Sequence, residues 1–572
     1  MRARSAAEVA DLLDEIGRRS AFEVVNPYKA KAYLRAAASL RHLMRPLGEL
    51  INEGALQSIP GVGANIAKRI EQLHRLGTDA SLERMREKLP AGVLELLDLP
   101  GLRPATILKL HERLGLNNLN DLVEACRQGR VASTKGLGAA LERKILQGIA
   151  VAREGEGRLR MNQAQAILDR AKMDLQRVRP TLRNVTIAGD LRRSLELVSD
   201  LRLVAIDPEV AGVTAEAFGP ITLHACPAAS FGTVLLHATG SATHVAQLAR
   251  QARKQGLILS ADGLHRVRKR VAGRREEDIY EALGLEYVPP ELREGTDEIA
   301  RAEAGELPQL ITAGDLKGVL HVHTDFSDGV NTLEEMAEAA RRRGYAYLGV
   351  SDHSQSAHYA GGLKLHEIEA QHALIEGLNR RYRGKFRIFK GIESDILADG
   401  SLDYPGEVLD RFDFVVASVH SRFRLDKNDQ TRRIVTAVAN PYTTILGHLT
   451  GRQLLRRPGY DVDVEAVLQA CATHGVAVEI NSNPYRLELD WRWHSKALAL
   501  GCLLSINPDA HSIAELDLVK WGLAIARKGG VRKPSVVNAM TLRQLLAYLR
   551  KRRGQAAISS RGPARKRTQD PS

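Results

Sequence analysis

Cysteine is scarce in this chain. Its 572 residues include four, Cys126, Cys226, Cys471 and Cys502, and no two form a CxxC pair. That excludes zinc knuckles and a disulfide framework. Long apolar runs are also missing, and none approaches the roughly 20 residues that a bilayer span needs. The amino-terminal MRARSAAEVADLLDEIGRRS sets acidic residues inside its apolar pattern, so it reads as an amphipathic helix and not a signal peptide. A cytoplasmic protein is expected.

Positive charge is abundant. Lys and Arg number 82 against 68 Asp and Glu, giving a formal net charge of +14 and a pI near 9.6. That balance favours a polyanionic partner, nucleic acid or an acidic membrane surface. Apolar content of 44% and charged content of 26% fit a globular protein. The length exceeds what one core supports, so roughly three or more domains are expected.

Residues 1–150 read as almost all helix. One pattern appears there three times, as IPGVGANIAKRI from Ile59, LPGLRPATILKL from Leu99 and KGLGAALERKIL from Lys135. Each is a glycine-containing turn followed by a helical apolar period. Residues 151–290 open with a helix over 160–178, then show strand-like runs NVTIAGD, DLRLVAI and GTVLLHATGS. Residues 291–316, within and after PPELREGTDEIARAEAGELPQL, have the composition of a linker. From 317 to 550 come seven strand-like runs: GVLHVH, YAYLGVS, FRIFKGIE, DFVVASVH, TTILGHL, GVAVEIN and CLLSIN. Helical or loop segments separate them, and repeated βα units favour a parallel sheet closed into a barrel. The tail, 551–572, carries Lys551, Arg552, Arg553, Arg561, Arg565, Lys566 and Arg567 against Asp570 and reads as disordered.

Ligand-type residues mark the ends of those strands. The first ends in His321 and His323, followed by Asp328. The second leads into Asp352 and His353. Glu393, His420 and His448 belong to the next three, and the seventh runs into Asp509 and His511. In a βα barrel such ends converge on one face. Residues i and i+2 of a strand point the same way, so His321 and His323 can reach one ion, and the same is expected of Asp509 and His511. Mixed imidazole and carboxylate donors suit Zn²⁺, Mn²⁺ or Fe²⁺ better than Mg²⁺. So many ligands are too many for one ion and imply two or three.

The stretches HVHTDFSDG, SDH, GIE, ASVH, GHLTGR, EINSNPYRLEL and NPDAH resemble the PHP (polymerase and histidinol phosphatase) domain of bacterial family X DNA polymerases, from about 315 to 545. The resemblance fills all nine metal positions. It implies a first ion on His321, His323, Glu393 and Asp509, the expected catalytic set. A second would lie on Asp328, His353 and His511, and a third on Glu393, His420 and His448 with Glu393 bridging. Clustered ions of this kind activate water and neutralise phosphate oxygens. Arg422, Arg452, Arg486 and Lys364 lie in nearby loops, either to hold flanking phosphates or as solvated surface charges.

The three glycine turns resemble helix-hairpin-helix motifs, which implies sequence-nonspecific DNA contacts at Gly61, Gly63, Gly101, Gly136 and Gly138. With NPYKAKAYLRAA at 26–37, TGSATHVAQLARQARKQGLILSADGL and VPPELRE, the whole order resembles bacterial PolX. The implied fold is multidomain, α plus α/β. It comprises a helical front end, a nucleotidyltransferase-like palm and thumb, and a distorted (βα)7 PHP barrel.

The palm departs from the family pattern, which is GSxRRG, then DxD, then a third Asp. The stretch GDLRRSLELVSDLRLVA keeps Gly189, Arg192, Arg193 and Asp200. Arg202 replaces the second Asp, Thr222 aligns with the third, and Asp190 and Ser194 replace the expected serine and glycine. One carboxylate beside an arginine does not hold two Mg²⁺ ions, so Mg²⁺ is expected only if the palm is active. Arg69 stands where the animal relative has a Schiff-base lysine, which the neighbouring Lys68 does not match, and arginine cannot do that chemistry.

The expected protein is a DNA-repair enzyme using two or three divalent ions, Mn²⁺ or Zn²⁺. It acts as a 3′–5′ exonuclease or abasic-site phosphodiesterase on gapped, nicked or 3′-ended DNA. The rivals are a working gap-filling polymerase, a small-molecule phosphatase of histidinol-phosphatase type, and a scaffold without chemistry.

Overall fold

The described residues up to 156 fold as helices and turns, from Ala6–Ser20 to Ala139–Glu154. Ser5 caps the first helix: the Glu8 amide donates to its hydroxyl and its own amide donates to Glu8. The chain is a computed structural model that describes residues 3–23, 27–41, 43 and 45–559. Asn26 of the NPYKAKAYLRAA stretch lies outside the described residues, as do Arg561, Arg565, Lys566, Arg567 and Asp570 of the tail. The chain divides into two compact units, Met1–Glu156 with Leu455–Arg457, and Gly157–Leu454 with Pro458–Ser572.

Two apolar clusters build the helical unit. One joins Val9, Leu13 and Ile16 to Ile66, Ile70 and Leu73. The other joins Val93, Leu96, Ile107, Leu110 and Ile145. The three repeats adopt one turn: Gly61, Gly101 and Gly136 have φ of 83°, 82° and 82°, a left-handed conformation that favours glycine. Helices Ala64–Leu76, Pro104–Leu114 and Ala139–Glu154 follow these turns.

The second unit begins with helix Met161–Val178, close to the expected 160–178. Strands β1 (Arg183–Ala188), β2 (Arg202–Ile206), β3 (Thr214–Phe218) and β4 (Ile221–Cys226) form a sheet in the order β1-β2-β4-β3. GTVLLHATGS, expected as a strand, is instead the helix Phe231–Thr239. The helix is nearly all buried, and a run apolar on every side has no period to tell helix from strand. The expected linker also differs. It contains helix Glu298–Ala304, buries Ile311 completely and packs Leu292, Ile299 and Leu307 into a core with Leu248 and Ile279.

Strands β5 (Gly318–Val319), β6 (Tyr347–Val350), β7 (Arg387–Asp395), β8 (Phe414–Ser418), β9 (Ile445–Leu446), β10 (Ala477–Asn481) and β11 (Leu504–Asn507) form one parallel sheet in sequence order. The ends nearly close the barrel: the Leu320 amide donates to Asn507 Oδ1 at 3.2 Å and the His323 amide to Ala510 O at 2.8 Å. Phe414 fills the interior, and a Cβ on Gly349 or Gly391 would come within 2.6 or 2.2 Å of its ring. Large and small residues therefore interlock there. Leu168, Leu175, Leu203 and Leu223 share a continuous core with barrel residues such as Ile392 and Val478. The last helix, Leu542–Ser559, runs through 551–559, so the expected disordered tail does not start at 551.

Candidate metal centre

All nine sequence-predicted donors meet at the carboxyl ends of the barrel strands. Glu393, at the end of β7, is central. Its Oε1 lies 3.0 Å from His448 Nε2, 3.3 Å from His420 Nε2 and 3.4 Å from His321 Nε2. Its Oε2 lies 3.0 Å from His353 Nδ1 and 3.7 Å from His323 Nε2. Asp509 Oδ1 is 3.2 Å from His323 Nε2 and 3.5 Å from His321 Nε2. Asp328 Oδ1 is 3.3 Å from His511 Nε2 and 3.6 Å from His353 Nε2.

Three overlapping donor groups result: His323, Asp328, His353 and His511; His321, His323 and Glu393; His353, Glu393 and His420. Among the described residues, groups of this kind occur in the barrel alone. The expected sets therefore overlap more than the sequence implied, with His323 and His353 each shared. Asp509 and His511 do not face one subsite as strand alternation predicts. Both follow β11, and Asp509 is left-handed at φ 52°, so the period of two fails there and the pair diverges.

The donors fit divalent ions. Buried His323 Nδ1 and His448 Nδ1 have no hydrogen-bond partner, and His321 Nε2 and His353 Nδ1 face the Glu393 carboxylate at 3.4 and 3.0 Å without aligned hydrogen bonds, whereas buried polar atoms are normally satisfied. Protonation states are strongly split. Burial opposes ionisation of Glu393, yet the charges of His420, His321 and His353 hold its carboxyl well below the usual range. Burial, with the charges of His353 and His511, pushes His323 down to about 3. Burial also works against the charged form of His420, but Glu393 and Asp395 raise it to about 10.

Residues that the sequence reading missed hold these rings. Glu479, fully buried on β10, lies 2.6 Å from His321 Nδ1. It also accepts from the His448 amide at 2.8 Å and from Asn507 Nδ2 at 3.0 Å. Asp395 lies 2.7 Å from His420 Nδ1. Such partners fix the tautomer and aim the other nitrogen inward. The signal was present: a carboxylate in the apolar run GVAVEIN is rarely buried without a partner. Asp352 stays out of the cluster. It accepts from Thr324 N and Oγ1, Ser327 Oγ and Gln371 Nε2 and so shapes the loop bearing Asp328.

The expected phosphate holders separate. Arg486 reaches inward, 3.3 Å from Glu488 Oε1 and 3.8 Å from Asp509 Oδ2. Arg452 is a correction: it donates to Asp490 at 2.6 Å and to the carbonyls of Arg486 and Leu487, so its guanidinium clamps a loop. Arg422 and Lys364 are exposed.

The palm gathers no comparable set. Asp200 Oδ1 accepts from the Asp190 amide at 2.9 Å and Oδ2 meets Arg202 Nε at 2.9 Å. Arg202 pairs in register with Thr222 on β4, so an arginine and a threonine flank the one carboxylate. A Cβ on Gly189, which has φ 69°, would strike Asp200 at 2.4 Å. Asp190 is turned inward, where Arg193 and Ser199 donate to it. Arg192 donates to both oxygens of buried Glu276 at 2.8 and 2.6 Å, and Arg193 also donates to Glu294. In the helical unit, Arg69 pairs with Asp79 at 2.9 Å and donates to the Tyr33 hydroxyl.

Comparison with known proteins agrees with this layout. Family models match over 5–79 (helix-hairpin-helix domain), 93–150 (SAM-like helix-hairpin-helix tandem), 234–294 (DNA polymerase beta thumb) and 320–483 (PHP domain). The DNA polymerase/3′-5′ exonuclease PolX of Bacillus subtilis (strain 168) is 33% identical over 586 residues, covering 95% of this chain and 99% of that protein. This chain belongs to the PolX family. Shorter proteins are similar to part of the chain. A probable phosphatase of Thermoanaerobacter sp. (strain X514) is 29% identical over 242 residues, 39% of this chain and 91% of its own length. A probable phosphatase of Vibrio atlanticus (strain LGP32) is 29% identical over 249 residues, 41% and 94% respectively. As a PolX-family chain it carries DNA-binding helix-hairpin-helix and thumb domains, and its PHP barrel implies the use of divalent metal ions. No described helix is long and apolar enough to cross a membrane.

Proposed function

We propose that the barrel is a metal-dependent 3′–5′ exonuclease and abasic-site phosphodiesterase, and that the palm supports little or no polymerisation. The observation that carries this reading is the contrast between nine converging donors in the barrel and, in the palm, one retained family carboxylate, Asp200, already paired with Arg202. His321, His323, Asp328, His353, Glu393, His420, His448, Asp509 and His511 would hold two or three ions, with Mn²⁺ or Zn²⁺ favoured by the donor chemistry. Bound ions supply Lewis-acid stabilisation of phosphate charge and a water activated near neutral pH.

The chain's own residues prepare that chemistry. Glu479 and Asp395 fix His321 and His420, leaving one nitrogen of each facing Glu393. Arg486 places a cation at the cluster's inner wall, where a flanking phosphate oxygen would lie. The glycine turns of residues 1–150, Gly61, Gly63, Gly101, Gly136 and Gly138, would grip DNA phosphates through backbone amides. Residues 151–290 would serve as a platform, with Gly189, Arg192, Arg193 and Asp200 as remnants of a polymerase site.

The test uses a 5′-labelled primer–template with Mn²⁺, with and without dNTPs, comparing wild type with His321→Ala and Asp200→Ala. Shortening that is lost in His321→Ala, with no extension by any protein, is the expected result. Extension that requires Asp200 would establish the second reading, a gap-filling polymerase, which the similarity to the Bacillus subtilis DNA polymerase/3′-5′ exonuclease favours. Rapid turnover of free phosphomonoesters without DNA shortening would favour the phosphatase reading, which the shorter probable phosphatases suggest.

A further inference from the structure

Aromatic side chains make up 4% of this chain. Among the described residues, one Phe, Tyr or Trp is left exposed: Tyr359, at 72%. Its ring stands 6.1 Å from the ring of His353 and 6.3 Å from that of His420, at the mouth of the donor cluster. Burial would have rewarded this side chain, and the loop around it is built to keep it out. Ala357 and Ala360 are buried on either side. The loop is pinned by Leu363 N to His353 O at 2.8 Å, Gly362 N to Ala357 O at 3.2 Å and Ser356 N to Asp403 Oδ2 at 2.7 Å. A second apolar side chain, Val330, is 79% exposed, and its amide donates to the carbonyl of His511 at 2.7 Å. The mouth therefore carries a rigid aromatic face beside His353 and His420 and an aliphatic one beside His511.

We propose that Tyr359 is the stacking platform for the terminal nucleobase of a DNA strand whose last phosphodiester lies on the donor cluster, with Val330 closing the other rim. An aromatic face offers little to a free phosphate but stacks on any base, whatever the sequence. A pre-set loop limits the ordering cost when the strand end arrives. This inference rests on the exonuclease reading and adds its substrate-end specificity: the site reads a nucleoside and not only a phosphate.

The test measures Mn²⁺-dependent shortening of two otherwise identical oligonucleotides by the full-length protein. One ends in a normal 3′ nucleotide and the other in a 3′-terminal tetrahydrofuran residue that has no base. Tyr359→Ala is expected to lower kcat/KM on the base-ended strand by roughly 5- to 150-fold, the cost of losing one base–aromatic stack, and to leave the abasic-ended strand unchanged. Tyr359→Phe and Tyr359→Trp are expected to retain the wild-type ratio, which a loss of folding could not mimic. Equal effects of Tyr359→Ala on both strands, or none on either, would overturn the platform while leaving the exonuclease standing. If wild type shortens neither strand, the exonuclease reading fails and the platform falls with it.

Discussion

The palm and the barrel both centre on a carboxylate, and the two differ in what faces it. Asp200 meets Arg202 at 2.9 Å and a backbone amide on its other oxygen. Glu393 meets five imidazoles within 3.7 Å. Arginine is a permanent cation, so it neutralises Asp200 whether or not metal is present. Imidazole can be neutral and offer a lone pair, so the same carboxylate chemistry remains open to an ion. A fixed positive charge closes a carboxylate to a metal ion more completely than the loss of one ligand does.

The largest effect is expected at Glu393, which enters two of the three donor groups. Glu393→Ala should abolish Mn²⁺-dependent DNA shortening, by roughly a thousandfold or more if several kcal/mol of charge stabilisation are lost. Activity within tenfold of wild type would break the comparison, because the barrel would then not depend on its central carboxylate.

Next comes the ion-pair network around Glu276 behind the palm. Buried Glu276 receives Arg192 and, at 2.5 Å, Arg293, which is itself fully buried. Burial opposes the charge on Glu276, but Arg293 and Arg192 hold its carboxyl down to about 2, below the ordinary 4.5. A depressed carboxylate stabilises the fold fully above the unfolded value and loses that contribution as pH falls through the folded one. Glu276→Gln should therefore cost about 3–5 kcal/mol at neutral pH by stranding Arg293. The gap in urea midpoint between wild type and variant should narrow from about pH 4.5 toward pH 2. A gap independent of pH would show that packing, and not charge, holds this junction.

Smaller again is Glu479→Gln. It leaves all nine donors in place and weakens the hold on His321 and on the backbone that carries His448. A drop of roughly 10- to 100-fold at limiting Mn²⁺ is expected, recovering when Mn²⁺ is raised. A loss that excess metal does not repair would give Glu479 a role beyond orienting the ring.

These residues also show how far the sequence could be read. The nine donors were legible because metal chemistry restricts residue types and the βα repeat fixes where they fall. Their grouping was less so: Asp509 leaves the strand at φ 52°, and alternation says nothing about a left-handed residue. Arg452 and Arg486 look alike in sequence, yet one clamps Asp490 and the other leans toward Asp509. The segment after residue 290 has the composition of a linker, but Arg293 is buried by a carboxylate 17 residues earlier. No local pattern reports such a pairing.

The smallest expected effect separates the two sites most sharply. Asp200→Ala removes the one palm carboxylate that the family pattern retains. If the palm is a platform, the variant should shorten a labelled primer as fast as wild type in Mn²⁺, and neither protein should extend it with dNTPs and Mg²⁺. The variant also frees Arg202 from its partner, leaving an unpaired cation on a 39%-exposed side chain. Any change in DNA affinity should therefore be a gain, and it should fade with added salt as a phosphate contact does. Weaker binding in the variant would show that Asp200 still works with a metal ion at the DNA, and the palm could not then be counted as retired.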